Sequence, residues 1–243
     1  GLGLKVGLYS SPGPLTCAGA VGSYQHEDQD AQSYADWGID YLKYDWCSYD
    51  RDAILRRAEK FEAALPDSAA EIKELAQEQY DLIPQYFSTR GGDPEHVAQR
   101  DAISAKEKET RTKLEAVYHK LDGKRVGEIY DESEKAPYFL MHASLQKVNR
   151  DIVYSLCQYG RASVQEWGAE AGGNTWRITG DINATWKSVE QHGFELKPGL
   201  EKWANPGHWN DPDMLEVGNG ALTPDENYTH MTQWCMLAAP LLI

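Results

Sequence analysis

The sequence predicts an α/β fold in which parallel β-strands alternate with α-helices. Six short apolar runs bounded by turn residues have the length and composition of buried strands; they cover residues 4–10, 41–45, 152–157, 176–179, 208–210 and 240–243. Helical patterns lie between several of these runs, and such alternation favours parallel β-α units. About 160 residues lie outside a charged segment at 51–135. That length suits roughly six units and falls short of the ~250 residues of a complete eight-unit barrel.

Three helices are predicted next to these strands. Residues 27–38 begin with acidic residues and stop at Gly38, as a short helix does. A second helix is predicted at 184–191, after the fourth strand. The third covers 224–239, where apolar residues recur with the spacing of one helix face: Tyr228, Met231, Trp234, Cys235 and Leu237.

Residues 51–135 interrupt the alternation. They are rich in Glu, Lys, Ala, Gln and Arg and predict two or three solvent-facing helices, punctuated by RGGDP at 90–94. The composition favours an inserted helical hairpin or subdomain, with a partner-binding coiled coil as the alternative. We therefore expect one domain from 1–50 and 136–243, and a helical insertion at 51–135.

Composition and missing motifs argue against several classes of protein. The 243 residues include 24 Lys and Arg against 38 Asp and Glu, and the formal net charge of −14 repels nucleic-acid phosphates. No apolar run reaches the ~18 residues of a membrane span. The four cysteines lack CxxC spacing, and there is no GxSxG motif or phosphate-binding glycine loop. We expect no nucleic-acid or membrane partner, no cofactor and no metal.

The chain begins inside a strand pattern, GLGLKVGLYS, and ends inside an apolar run, MLAAPLLI. Domain termini usually lie in exposed, weakly held segments. We therefore expect the chain to be a piece of a longer protein.

Residues 41–47, YLKYDWC, contain the first candidate catalytic residue. Side chains alternate along a strand, so Lys43 and Asp45 are predicted on one face, with Leu42 and Tyr44 on the other. An acid at the carboxyl end of a barrel strand lies where active sites form. A neighbouring ammonium favours the ionised carboxylate that a nucleophile needs. Asp45 is a candidate nucleophile on this pattern, and a plain buried ion pair with Lys43 is the alternative.

Residues 174–183, NTWRITGDIN, contain the second candidate. A strand is predicted to run out at Thr179 into a glycine turn that carries Asp181. An acid in a loop at the end of a strand is well placed for catalysis, although Asp181 could instead cap the next helix. Arg177 offers a fixed fork of donors suited to a sugar hydroxyl or a carboxylate.

Residues 209–215, WNDPDML, place Asp211 and Asp213 on either side of a proline. Such a pair could bind hydroxyl groups or a metal. A single DxD motif is weak evidence for a metal, because hard cations usually require more oxygen ligands.

Five separated segments together resemble glycoside hydrolase family 27, the α-galactosidase and α-N-acetylgalactosaminidase family. They occur in the family's order and cover about 1–50 and 135–243: KVGLYSSPGPLTCAGAVGS, DAQSYADWGIDYLKYDWC, IVYSLCQYG, NTWRITGDI, and HWNDPDMLEVGNG followed by MLAAPLLI. The resemblance implies a (β/α)8 TIM barrel, present here as an incomplete barrel of about strands three to eight with an inserted helical segment.

The resemblance also implies roles for individual residues. Asp45 matches the nucleophile and Asp181 the acid/base, while Cys17 and Cys47 match a disulfide pair. Residues at sugar-pocket positions are Tyr9, Lys43, Arg177, Asp213 and Met214. The chain departs from the family at Cys157-Gln158-Tyr159, where well-known α-galactosidases have Cys-Glu-Trp, and at Thr175, where a cysteine partner for Cys157 is absent. Gln158 can still donate and accept hydrogen bonds, so we expect it to bind a sugar hydroxyl.

The implied activity is that of a retaining hydrolase that releases terminal α-linked galactose from oligosaccharides or glycoconjugates by double displacement. Related specificity for N-acetylgalactosamine or β-L-arabinopyranose is an alternative, and so is an inactive carbohydrate-binding barrel. The family and the implied disulfide predict an exported protein, secreted or periplasmic. We expect the chain alone to be inactive, because a barrel without two strands leaves sheet edges unpaired.

Overall fold

The computed structural model describes residues 3–88 and 94–242. Two compact units are present: one combines Gly1–Cys47 with Pro137–Ile243, and the other is Ser48–Ala136. Within the described residues, no helix has both the length and the apolar composition that crossing a bilayer demands.

The first unit is built on a parallel sheet, which confirms the predicted α/β fold. The described residues form five strands: β1 (Gly7–Ser10), β2 (Tyr41–Asp45), β3 (Val153–Cys157), β4 (Thr175–Arg177) and β5 (Trp209–Asp211). Their order in the sheet, β1-β2-β3-β4-β5, is their order in the chain, and every pair is parallel. A doubly wound sheet would reverse direction at a switch point, whereas a barrel advances by one neighbour at each unit.

Alternation along β2 follows the predicted pattern. Leu42 and Tyr44 are fully buried, and Tyr44 packs against the rings of Tyr138 and Tyr154. Lys43 and Asp45 point to the other face, where Asp45 pairs in register with Cys157 of β3. The apolar face therefore fixes the register, and the register fixes which strand neighbours Asp45.

Seven α-helices are present in the described residues. They are α1 (Glu27–Asp36), α2 (Asp50–Ala64), α3 (Ala69–Ser88), α4 (Pro94–Tyr118), α5 (Gly123–Leu145), α6 (Trp186–Val189) and α7 (Pro224–Met236). Helix α6 continues into a π-helical turn, Glu190–Phe194. Helix α7 starts with a capping box between Thr223 and Glu226 and has Pro224 in its first turn.

Helix α7 corrects the predicted apolar face. Tyr228 and Met231 are 77% and 39% exposed, and the buried positions include His230 and Trp234. Two of the polar atoms on this face have partners: His230 Nε2 accepts a hydrogen bond from the Glu216 amide, and Trp234 Nε1 donates to the Asp213 carbonyl. Such hydrogen bonds lower the cost of burying polar groups. Counting apolar residues therefore placed Trp234 correctly but missed His230 and Gln233.

The sixth predicted strand, 240–243, is not a strand in the part of the chain that the structure describes. Its one recorded ladder-like contact is the hydrogen bond from the Leu215 amide to the Leu242 carbonyl, 2.7 Å long. Ile243 lies outside the described residues. A strand needs a repeating ladder with a neighbour, and an apolar run alone does not supply one.

The second unit contains more helices than predicted, and they are not solvent-facing on all sides. Helices α2, α3, α4 and the beginning of α5 share an apolar core in which Phe61 and Ile72 are fully buried. Phe61 stacks on Tyr118, with ring centroids 3.5 Å apart. Charged residues dominate the sequence of this unit, but periodic apolar positions suffice to build its core.

Replacing Phe61 by alanine should lower the free energy of unfolding by about 3–5 kcal/mol, because it empties a fully buried aromatic site. Urea denaturation of the protein, followed by circular dichroism, measures the change. Glu59→Ala on the exposed side of α2 is the matched control and should stay within about 0.5 kcal/mol of the unsubstituted protein. Equal effects of the two substitutions would contradict a packed core in this unit.

Candidate active site

The carboxyl ends of parallel strands meet at one edge of the sheet, and the candidate residues cluster there. Asp45 ends β2, and Cys157 ends β3, with Gln158 and Tyr159 directly after it. Arg177 ends β4, and Asp213 follows β5. Barrel enzymes build their active sites at this edge.

Asp45 is 6% exposed and is surrounded by groups that respond to its charge. The Tyr159 hydroxyl donates a hydrogen bond to Asp45 Oδ1 at 2.8 Å. Burial, reinforced by the Asp45 carboxylate, raises the pKa of Tyr9 to about 12. Burial also raises the pKa of the Cys157 thiol, and Asp45 adds to that effect. Both neighbours therefore stay protonated at neutral pH.

Lys43 does not form the simple ion pair that was one reading of the sequence. Among the described residues it makes no salt bridge with Asp45, and its Nζ lies 5.8 Å from the centroid of the Tyr9 ring. Its charge nevertheless acts on its neighbours. Burial raises the pKa of Asp211, and the positive charge of Lys43 partly offsets that rise.

The Cys17–Cys47 disulfide is present, which confirms the pairing implied by the resemblance. It connects the loop after β1 to the residues that follow β2, and the Tyr9 hydroxyl lies 3.1 Å from Cys47 Sγ. The two sulfur atoms and the Asp45 carboxylate lie within 4.8 Å of one another. Metals bind cysteine as thiolate, and a disulfide offers none, so this cluster is not a metal site.

Arg177 joins two of the candidate carboxylates. Its side chain is 3% exposed, and its guanidinium contacts Asp181 Oδ1 at 2.9 Å and Asp213 Oδ1 at 2.8 Å. One nitrogen also donates to the Gly180 carbonyl at 2.5 Å. The two carboxylates differ in environment, because the Asp213 side chain is 7% exposed and that of Asp181 is 77% exposed. The buried pair fixes the loop, and the exposed acid remains accessible to a substrate.

Asp213 is built into the loop that follows β5. Its Oδ2 accepts a hydrogen bond from the Ile182 amide at 2.8 Å, and its own amide donates to Asp211 Oδ1 at 2.8 Å. Its backbone adopts φ 93°, a region that non-glycine residues rarely enter. This carboxylate therefore holds Ile182, the residue after Asp181, in place. The next residue, Met214, is 37% exposed.

Asp181 does not cap the following helix, so that reading of the sequence is wrong. The N-cap of α6 is Thr185, whose side chain accepts a hydrogen bond from the Ser188 amide. A buried histidine supports the turn instead: His192 contacts the Gly180 carbonyl through Nε2 and the Ser188 carbonyl through Nδ1. Asp181 therefore lies in a loop that His192 stabilises, and it does not cap α6.

Gln158 is placed differently from the expected sugar contact. It is 2% exposed, its Oε1 accepts a hydrogen bond from the Arg161 amide, and its Nε2 donates to the Arg161 carbonyl. Both ends of its amide group therefore close the loop after β3. The sequence pattern located the loop but not the direction of this side chain.

Tyr159 contacts Asp45 at this edge, a role that the sequence did not assign to it. Its hydroxyl binds Asp45, and the Arg177 Cζ lies 5.5 Å from the centroid of its ring. Its backbone has φ 63°. The next residue must be glycine, because a Cβ on Gly160 would lie 2.6 Å from the Ile178 carbonyl oxygen. Its sequence signal was the departure at Cys157-Gln158-Tyr159, which puts a hydroxyl-bearing aromatic two residues after the end of a strand.

Asp45 and Asp181 are thus connected through two side chains. Tyr159 touches Asp45 and lies against Arg177, and Arg177 touches Asp181. Burial raises the pKa of the Tyr159 hydroxyl, and the charges of both Asp45 and Asp181 contribute to that rise. A buried carboxylate and an exposed carboxylate at one sheet edge can carry out acid/base and nucleophilic chemistry on a bound substrate.

The family model described as alpha galactosidase A matches residues 1–75 and 89–243, so it includes most of the 51–135 segment that the motif resemblance had left out. The probable alpha-galactosidase B of Aspergillus fumigatus is 36% identical over 245 residues, covering 100% of this chain and 46% of that protein.

Solved structures agree in fold. Alpha-galactosidase I from Mortierella vinacea has a TM-score of 0.60 and 26% identity, with 100% of this chain and 47% of that chain covered. A β-L-arabinopyranosidase from Geobacillus stearothermophilus has a TM-score of 0.53 at 18% identity, with 99% and 48% covered, which shows the fold alone. The chain spans about half the length of these relatives.

Two substitutions should distinguish the contribution to stability of the buried Arg177–Asp213 ion pair from that of the exposed Arg177–Asp181 ion pair. Arg177→Ala leaves the Asp213 carboxylate buried and unpaired, so the free energy of unfolding should fall by about 3–5 kcal/mol. Asp181→Asn removes only an exposed partner and should cost within about 1 kcal/mol. Chemical denaturation of both variants is the measurement, and equal losses would contradict the assignment of the structural role to Asp213.

Proposed function

The chain belongs to the alpha-galactosidase family, glycoside hydrolase family 27, and on that premise we propose that the whole protein is a retaining glycosidase that releases terminal α-linked galactose. The observation that carries the proposal is the connection of Asp45 to Asp181 through Tyr159 and Arg177 at one edge of the sheet. The substrates are galactose-containing oligosaccharides or glycoconjugates.

Asp181 is the general acid/base. It is exposed at the mouth of the site, and its contact with Arg177 uses Oδ1. In the first step it donates a proton to the leaving glycosidic oxygen while the bond to the anomeric carbon breaks. In the second step it takes a proton from the water that attacks the same carbon.

Asp45 is the nucleophile. Its carboxylate attacks the anomeric carbon and forms a covalent glycosyl-enzyme, which water then releases, so two inversions give net retention. In a retaining enzyme the two carboxyl groups are expected about 5–5.5 Å apart. In an inverting enzyme they would be about 6.5–9.5 Å apart. The remaining residues proposed to contact the sugar are Tyr9, Lys43, Arg177, Asp213 and Met214.

We also propose that the protein is exported. The Cys17–Cys47 disulfide supports this, since disulfides persist in oxidising compartments. Fractionation of the source cells should recover the protein outside the cytoplasm, and recovery in the reducing cytosol alone would refute export.

Asp45→Ala in the whole protein should lower kcat on a nitrophenyl α-galactoside by at least about 10⁴-fold, because the nucleophile is lost. Asp181→Ala should lower it by about 10²–10⁴-fold, the usual contribution of a general acid/base. The matched control is Asp36→Ala, an exposed acid on α1, which should leave the rate unchanged.

Two further measurements make this test sharper. Proton NMR of the first product should show the α-anomer of galactose before mutarotation, and the β-anomer would contradict a retaining mechanism. Comparison of nitrophenyl α-galactoside with the α-N-acetylgalactosaminide and the β-L-arabinopyranoside ranks the three specificities. Equal rates of nitrophenyl α-galactoside hydrolysis by the unsubstituted protein and by Asp45→Ala would contradict the proposal that the protein is an enzyme.

A further inference from the structure

Tyr159 occupies a position that the retaining mechanism described above does not use. It lies two residues after the end of β3, and its hydroxyl oxygen is 2.8 Å from Asp45 Oδ1, to which it donates a hydrogen bond. Family members with the Cys-Glu-Trp pattern have an indole here, which has a ring N–H but no hydroxyl. The contact is therefore a property of this chain's own sequence.

We propose that Tyr159 is a positioning residue for the nucleophile: its hydroxyl holds Asp45 Oδ1, so that Oδ2 faces the anomeric carbon. The inference rests on the proposed function, since it assigns Tyr159 a part in the same reaction. The inference also names the step that Tyr159 assists: hydrolysis of the glycosyl-enzyme, in which Asp45 becomes a free carboxylate again.

The geometry fixes the hydroxyl from several sides. The ring lies against Arg177, itself locked between Asp181 and Asp213. The backbone of Tyr159 is held at φ 63°, a conformation that persists only where the surroundings determine it. Gln158 closes the loop immediately before it by bonding Arg161 twice. The hydroxyl is thus presented to Asp45 by a constrained loop and not by a freely rotating side chain.

Tyr159 also stays a donor at neutral pH. Burial raises the pKa of its hydroxyl, and the charge of Asp45 raises it further, so the proton remains on the tyrosine oxygen. Asp45 offers only acceptor oxygens when it is ionised. The hydrogen bond therefore runs from Tyr159 to Asp45.

The bond should matter most in the second half of the reaction. Formation of the glycosyl-enzyme converts the Asp45 carboxylate to an ester and removes its charge. During hydrolysis, the bond between Oδ2 and the anomeric carbon breaks and its electron pair returns to the carboxylate, while water adds to the carbon and gives its proton to Asp181. Hydrogen bonds to an ionised acceptor are about twice as strong as those to a neutral one. The Tyr159 hydroxyl consequently stabilises Asp45 as a leaving group more than it stabilises the ester.

Tyr159→Phe in the whole protein keeps the ring and removes the hydroxyl, and nitrophenyl α-galactoside is the probe. We expect kcat to fall about 10-fold and KM to fall with it, because the glycosyl-enzyme accumulates. Rapid mixing should then show a burst of nitrophenol close to one equivalent per enzyme, and mass spectrometry should show the added sugar. Thermal unfolding and circular dichroism establish that the variant is folded.

Tyr154→Phe is the matched control, since it removes another buried hydroxyl, one that donates to the Tyr138 carbonyl. It should leave kcat, KM and the burst unchanged. Unchanged kinetics in Tyr159→Phe would overturn the inference, as would the same change in both variants, or a parallel fall of kcat and kcat/KM without accumulated intermediate. These results differ from failure of the proposed function, in which the unsubstituted protein would hydrolyse the probe no faster than Asp45→Ala.

Discussion

The buried guanidinium of Arg177 determines where the loops at the carboxyl edge of the sheet can lie. A charged group with 3% of its side chain exposed requires compensating charge, and here the partners are Asp213 from the loop after β5 and Asp181 from the loop after β4. Asp213 in turn binds the Ile182 amide, next to Asp181 in the chain. Arg177 therefore holds the exposed acid Asp181, and Asp213 holds the residue that follows Asp181 in the chain.

The sheet order brings this arrangement to the nucleophile. Asp45 lies at the end of β2 and Arg177 at the end of β4, with β3 between them. Strands two positions apart are on the order of 10 Å from each other. The loop after β3 supplies the connection, because Tyr159 contacts Asp45 on one side and Arg177 on the other. A retaining mechanism requires both carboxylates to act at the same anomeric carbon. The loop after β3 connects them, since Tyr159 contacts both Asp45 and Arg177.

Much of the framework could be predicted from the sequence, because it depends on local periodicity. Alternation along residues 41–45 predicted the burial of Leu42 and Tyr44, and the spacing of strands and helices predicted a parallel sheet. The disulfide followed from the family resemblance. The failures concern interactions between distant residues. Periodicity did not show that Gln158 bonds its own loop or that His230 is buried with a hydrogen-bond partner, and it gave residues 240–242 a strand that no neighbour pairs with.

Trapping the covalent intermediate would show whether Asp45 attacks the sugar. The whole protein would be incubated with a 2-deoxy-2-fluoro-α-galactosyl fluoride, digested, and sequenced by mass spectrometry. If Asp45 is the nucleophile, one added fluorogalactosyl group is expected on the peptide that contains residues 41–47, carried by the carboxyl of Asp45. A label on a different carboxylate, or turnover of the reagent without any covalent label, would contradict it.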